Sequence, residues 1–195
     1  PSTLMIDYYR TEFQNQVVVD VDTPGEVTFL GLNGKSFSNS FQIEVHSEIA
    51  RRFDIRLAYR YIDVQTEYVN GINRKPLVAK NRAFVNLAYK TKSKWAFDFT
   101  TQWVGQQRLP DTSSNIESYQ LDTSSPDYVV INAQITKSLG EKWDVYLGGE
   151  NLTNYTQKNP IVAADAPFSQ YFDSSIIYAP IFGRMVYAGV RFKIK

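Results

Sequence analysis

The chain has 195 residues, 43% of them hydrophobic, with twenty-one basic side chains set against twenty acidic ones. No run of about eighteen apolar residues occurs, which excludes membrane-spanning helices. The near-balanced charge, without a basic stripe, gives nucleic-acid binding no support. The absence of cysteine excludes disulfides and thiolate metal sites.

Taken in order, the chain reads as a succession of extended segments. The first two run roughly from Leu4 to Asp20 and from Ser38 to Ile49. From Phe53 to Tyr61, Phe53, Ile55, Leu57, Tyr59 and Tyr61 alternate with Asp54, Arg56, Ala58 and Arg60. Ala83, Val85, Leu87 and Tyr89 then form an apolar face opposite Asn86 and Ala88, with Phe84 breaking the pattern. Trp95, Phe97, Phe99 and Trp103 oppose Ala96, Asp98, Thr100 and Gln102. Val129, Ile131, Ala133 and Ile135 oppose Asn132, Gln134 and Thr136, and Trp143, Val145 and Leu147 oppose Asp144, Tyr146 and Glu150. Ile181 to Ile194 completes eight segments. A period of two with β-branched and aromatic enrichment is the signature of strands with unlike faces.

The connections alternate too. Ala50 to Arg52, Lys90 to Lys94 and Ser138 to Lys142 are short, whereas Asp63 to Lys80, Val104 to Asp127 and Thr153 to Pro180 are long and polar. Short periplasmic turns and long extracellular loops are the pattern of outer-membrane barrels. A mean hydropathy of −0.33 does not oppose this, because a barrel strand shows lipid only every second residue. Phe53, Trp95 and Trp143 each follow a short turn and are expected to form a periplasmic aromatic girdle, with Tyr59, Tyr61 and Trp103 near the outer one. The fold expected is all-β: an antiparallel transmembrane β-barrel wall of about eight strands. Ile55, Leu57, Phe97, Phe99, Val145 and Leu147 should face lipid. The chain begins at Pro1 without an initiator Met or a signal peptide, which reads as a processed or truncated start.

Two C-terminal motifs carry a family resemblance. Gly148-Gly149-Glu150-Asn151-Leu152-Thr153-Asn154-Tyr155 resembles the E-N-L-(T/F)-(N/D)-x-x-Y signature of TonB-dependent receptors. Gly183-Arg184-Met185-Val186-Tyr187-Ala188-Gly189-Val190-Arg191-Phe192-Lys193-Ile194 is similar to that family's last strand, although the chain ends Ile194-Lys195 rather than in Phe. Phe13 to Val18, and Leu57 to Tyr61 followed by Asp63-Val64, fit the family's strand–loop rhythm. The resemblance spans essentially residues 1–195 and implies the C-terminal third of a barrel of about twenty-two strands. Neither a plug domain nor a TonB box is visible, so contact with TonB is expected only through a plug outside this chain. The resemblance implies an outer-membrane location in a Gram-negative bacterium and uptake of a scarce nutrient, a metal chelate or a cobalamin-like compound. A self-contained eight-stranded barrel serving as anchor or adhesin is the alternative, and a soluble β-sandwich binding module is a third reading.

Catalysis is not expected. His46 is the only histidine, and alternation turns it inward with Gln42 and Glu44, away from neighbouring Ser47. No cofactor or metal site is expected. Asp54, Arg56, Arg60, Asp98, Asp144 and Glu150 are read as an inward hydrogen-bonded network. Long loops are more often functional than idle. Within Thr153 to Pro180 the candidate ligand-binding residues are Asp165, Phe168, Tyr171, Phe172 and Asp173. In the family resembled, outer loops and plug apices make the small-molecule site together.

Overall fold

The computed structural model describes residues 2–31, 34–68 and 71–194. The strands are β1 (Ser2–Phe13), β2 (Val17–Asp20), β3 (Thr28–Gly31), β4 (Ser36–Ala50), β5 (Phe53–Tyr68), β6 (Gly71–Arg74), β7 (Asn81–Lys90), β8 (Trp95–Val104), β9 (Tyr128–Leu139), β10 (Trp143–Glu150) and β11 (Met185–Phe192). A single 3-10 turn, Glu117–Tyr119, is the one helical element among the described residues. Eight strands form a meander in the order β1-β4-β5-β7-β8-β9-β10-β11, antiparallel throughout. Among the described residues β1 pairs only with β4 and β11 only with β10, so the sheet is open at both edges.

Two expected segments differ from the strands formed. The segment from Leu4 to Asp20 is not one strand: Asn15 takes φ 52° and ends the ladder, and Val17–Asp20 pairs instead with Thr28–Gly31 as a separate hairpin. Asn tolerates that left-handed region better than most residues. The last strand begins at Met185, because residues 181–184 bind the preceding motif. The expected loop from Asp63 to Lys80 is partly strand, since β5 runs on to Tyr68 and pairs with β6.

Register sorts the side chains onto two faces. Leu4, Val45, Leu57, Val85, Thr101 and Ile131 lie side by side across six strands on the apolar face. One residue along each strand, Thr3, His46, Arg56, Asn86, Thr100 and Asn132 form the matching row on the polar face. Of the six residues expected to face lipid, Leu57, Phe97, Phe99, Val145 and Leu147 are exposed and Ile55 is half-buried. A sandwich would bury such a face against a second sheet. Phe84, the break in the alternation, stands on the polar face with the Arg56 guanidinium 6.0 Å from its ring centre.

The polar face carries separate local pairs, joining Arg56, Asp54, Asp98 and Asp144 to near neighbours rather than to one another. Arg56 Nε donates to Glu44 Oε1 at 2.8 Å, and His46 Nε2 lies 3.8 Å from Asp54 Oδ1. Asn86 donates to Asp98 and to Thr100 Oγ1. Lys193 Nζ pairs with Asp144 at 2.8 Å. Between β10 and β11, Tyr187 lies across Gly148 and Tyr146 across Gly189, positions where a Cβ would meet the opposing ring within 2.5 Å. The three tight turns each bend through a positive φ, at Arg52, Lys94 and Gly140. Beside them on the apolar face, Tyr89 packs edge-on to Phe53 and Phe192 packs on Trp143, extending the expected aromatic row.

Candidate functional site

The buried apolar core lies not under the sheet but at the long-loop end. Leu109, Val162, Ala163 and Ile176 are buried together, with Leu77, Tyr119, Leu121, Tyr171 and Tyr178 packed around them. The three long connections that follow β5, β8 and β10 therefore share one small core. An isolated loop could not offset the entropy of ordering itself; burying apolar side chains of three loops together supplies that stabilisation.

Polar contacts hold the same cluster. Arg108 donates through Nη1 and Nη2 to the two carboxylate oxygens of Asp22, at 2.8 and 3.0 Å, tying the connection after β1 to the one after β8. Both side chains are under one-fifth exposed, and such two-point pairs fix geometry as well as charge. Gln157 donates to the Ile176 carbonyl and accepts from the Tyr178 and Ala179 amides, closing the neck of the last connection. Burial pushes the Tyr178 phenol above its ordinary range.

The two C-terminal motifs hold each other. Asn151 is buried at φ 50°. Its Nδ2 donates to the Tyr155 and Phe182 carbonyls, and its Oδ1 accepts from the Tyr155 amide and the Thr153 hydroxyl. Asn154 Oδ1 accepts from the Arg184 amide at 2.9 Å, and Arg184 Nη2 donates to the Leu152 carbonyl at 2.9 Å. A Cβ at Gly183 would stand 2.6 Å from Asn154 Oδ1, so a larger residue there would displace that side chain from its bond to the Arg184 amide. The motifs join the base of the last connection where the chain leaves β10 and enters β11.

A cleft of about 480 Å³ opens between the connections after β8 and β10. Tyr119, Gln120 and Leu121 form one wall, and Asn159, Ile161 and Asp165 belong to the other. Tyr119 donates its hydroxyl to Asp165 Oδ2 at 3.0 Å. That hydrogen bond is the main cause raising the Tyr119 pKa, so the phenol remains a donor at neutral pH.

The five sequence candidates fall in different places. Asp165 lines the cleft, and Tyr171 backs it by packing its ring 5.7 Å from that of Tyr119. Phe168 stands fully exposed at the loop tip, and Phe172 is exposed beside the turn closed by its amide on the Ser169 carbonyl. Asp173 points back into its own loop, accepting from the Ser175 amide and hydroxyl at 2.7 Å, while its backbone pairs with Val162. Tyr119 and Gln120 were not singled out from sequence; the available signal was an aromatic and a leucine within the polar stretch from Val104 to Asp127. Among the described residues no group of three or more His, Cys, Asp or Glu side chains is placed to hold a metal ion.

Comparison with known proteins adds the following. Residues 2–152 match the family model described as TonB dependent receptor-like, beta-barrel. The chain is similar in structure to the ferric-catecholate import receptor Fiu of E. coli, at TM-score 0.65 and 12% identity over 98% of this chain and 25% of that one. It is also similar to the siderophore receptor PirA of Acinetobacter baumannii, at TM-score 0.66 and 14% identity over 98% of this chain and 29% of that one. FpvA of P. aeruginosa, solved bound to heterologous pyoverdines, gives TM-score 0.65 and 13% identity over 98% and 24%. The chain thus spans about a quarter of each of these structures, and at such identities the likeness concerns the fold. No curated sequence relative matches the chain.

Proposed function

Because the chain belongs to the TonB-dependent receptor family, matching its β-barrel over residues 2–152, we propose that it forms wall strands and extracellular loops of an outer-membrane receptor taking up a ferric chelate. The observation that carries this reading is the pairing of an exposed apolar sheet face with a self-packed loop cluster at one end. A face of Leu57, Phe97, Phe99 and Leu147 left open to solvent would drive aggregation, whereas against hydrocarbon it is at rest. The choice of an iron chelate draws on the siderophore receptors of like fold.

In this reading the apolar face meets outer-membrane lipid and the polar face lines the lumen. The loop cluster offers the ligand Asp165 with its Tyr119 donor, the Phe168 ring, and Tyr171, Phe172 and Asp173 as the frame behind them. TonB would act through a plug outside this chain, and no catalytic step is assigned to any residue.

Uptake of radioactive iron by iron-starved cells that rely on the receptor carrying this chain is the test. Loss of uptake of at least one ferric chelate on deleting the receptor is expected, with weaker binding in the paired Asp165→Asn and Phe168→Ala variant. Unchanged uptake of every ferric chelate would favour the anchor reading. That alternative has one structural obstacle: a self-contained barrel needs a ladder between β1 and β11, and none exists among the described residues.

A further inference from the structure

The near-neutral total charge conceals an uneven distribution along the strands. On the connection after β8, Asp111, Glu117, Asp122 and Asp127 accompany Arg108 alone, although the connection after β5 carries Arg74, Lys75 and Lys80. The tight turns are the reverse: Arg51 and Arg52 form the first, Lys90, Lys92 and Lys94 belong to the second, and Lys142 to the third. The acids nearest in sequence are Glu48, whose carboxylate accepts from the Arg52 amide, Asp54, Glu141 and Asp144.

Lys137 joins this group from an unusual position. Register places it on the apolar face, between Trp95 of β8 and Val145 of β10. Its ammonium lies 4.9 Å from the Trp95 ring centre and donates to the Ser93 carbonyl at 2.6 Å. Beside it, Lys94 Nζ donates to the Gly140 carbonyl at 3.3 Å, across to the next turn. A carbonyl orients an ammonium without neutralising it, and each ammonium has three protons to give. The two lysines therefore staple adjacent turns through backbone carbonyls. Trp95 pairs with Lys137 and is level with it, and Trp143 and Phe192, packed on each other, lie one pair nearer the turns, an aromatic row of the kind that sits at headgroup depth. An ammonium held over an aromatic ring at the edge of an apolar face is a placement suited to an interfacial lysine.

We propose that the tight-turn end, centred on Lys94, Lys137 and Trp95, binds the phosphate headgroups of anionic phospholipids in the adjoining leaflet. The proposal rests on the membrane reading given above. Cations set among an aromatic row at the rim of a hydrocarbon-facing wall meet the anionic headgroups of a bilayer before any other partner, and basic side chains near such a surface each add about fivefold to the association. Lys193 takes no part, because Asp144 already holds it.

The test uses the complete receptor carrying this chain, reconstituted in phosphatidylcholine vesicles with a trace of spin-labelled phosphatidylglycerol or spin-labelled phosphatidylcholine. The expected result is a several-fold preference of the protein-contacting lipid for phosphatidylglycerol, falling toward unity at high salt and reduced in a Lys94→Gln, Lys137→Gln double variant. Lys35→Gln, at the opposite end, should leave the preference intact. Equal association of the two lipids, or a preference indifferent to both salt and the double variant, would overturn the proposal. Should the double variant fail to insert, the salt dependence of the parent protein still decides. A protein with no motionally restricted lipid of either kind would overturn the membrane reading itself, a result distinct from equal association.

Discussion

Asn151 shows how much structure one side chain can carry. Its amide makes four hydrogen bonds from a left-handed backbone position, two donated and two accepted, all within the neck of the last connection. Asn151→Ala removes them and takes the donor from the part-buried Tyr155 and Phe182 carbonyls, so a loss of about 1–3 kcal/mol is expected, read as a lower unfolding temperature in detergent. Asn151→Asp keeps the acceptors and should fall between. An alanine variant as stable as the parent would mean that water replaces the amide. Asp111 offers a pH-dependent counterpart. Hydrogen bonds from the Ser113 amide and hydroxyl hold its carboxyl below the usual carboxylate range. A folded value below the unfolded one means that the unfolded chain takes up the proton first. The stabilisation is therefore fully present above about pH 4 and is lost as pH falls through the folded value. Pepsin cleavage within residues 105–127 should accelerate in that acid window, and Asp111→Asn should flatten the dependence.

At the scale of elements, the strands obey alternation and the connections do not. Each tight turn needs one residue at positive φ, and Arg52, Lys94 and Gly140 supply it; only the glycine announces this in sequence. Leu57 lies at the centre of the apolar row and Asp98 on the opposite face beside Asn86. Leu57→Arg should cost about 2–4 kcal/mol near the bilayer midplane, whereas Asp98→Asn should be mild because its neighbours still find an acceptor. Equilibrium unfolding of the complete receptor into denaturant from lipid vesicles measures both, and an equal cost at the two sites would argue against the assignment of faces. The two strand ends that fall elsewhere than expected have different origins: at Asn15 the backbone turns through a positive φ and the chain goes on to pair with β3, whereas before Met185 a side chain intervenes. Extended chain that still alternates can leave the ladder when a side chain offers its backbone other partners, as Asn154 does for Arg184.

At the scale of the whole molecule, the sheet is a scaffold whose packed core is built from its loops. This changes which loop segment can be removed. Residues 163–174 look dispensable in sequence as a polar, aromatic-rich stretch, yet Ala163 is buried in the loop core and Asp173 pairs with Val162. Deletion of 163–174 should therefore disturb the neighbouring loops, while removing only 164–172, with a short bridge, should spare insertion and weaken ligand binding. Surface yield and chelate affinity in the complete receptor separate the two outcomes. Full affinity after the narrower deletion would remove Asp165, Phe168, Tyr171 and Phe172 from the site.

The faces and ends of the sheet were legible in the sequence, though not where β1 stops and β11 starts. A period of two assigns each strand residue to a face by counting, and the short and long connections assign the two ends, since both are local properties of the chain. The family was also legible, because Glu150 to Tyr155 and Gly183 to Phe192 keep recognisable residues at fixed spacing. The cleft, by contrast, could be read only from the folded chain. Tyr119 meets Asp165, and Arg108 meets Asp22, across separations of 46 and 86 residues. Loop side chains follow no period, so their partners are chosen by the shared core that brings the loops together rather than by any pattern within one of them.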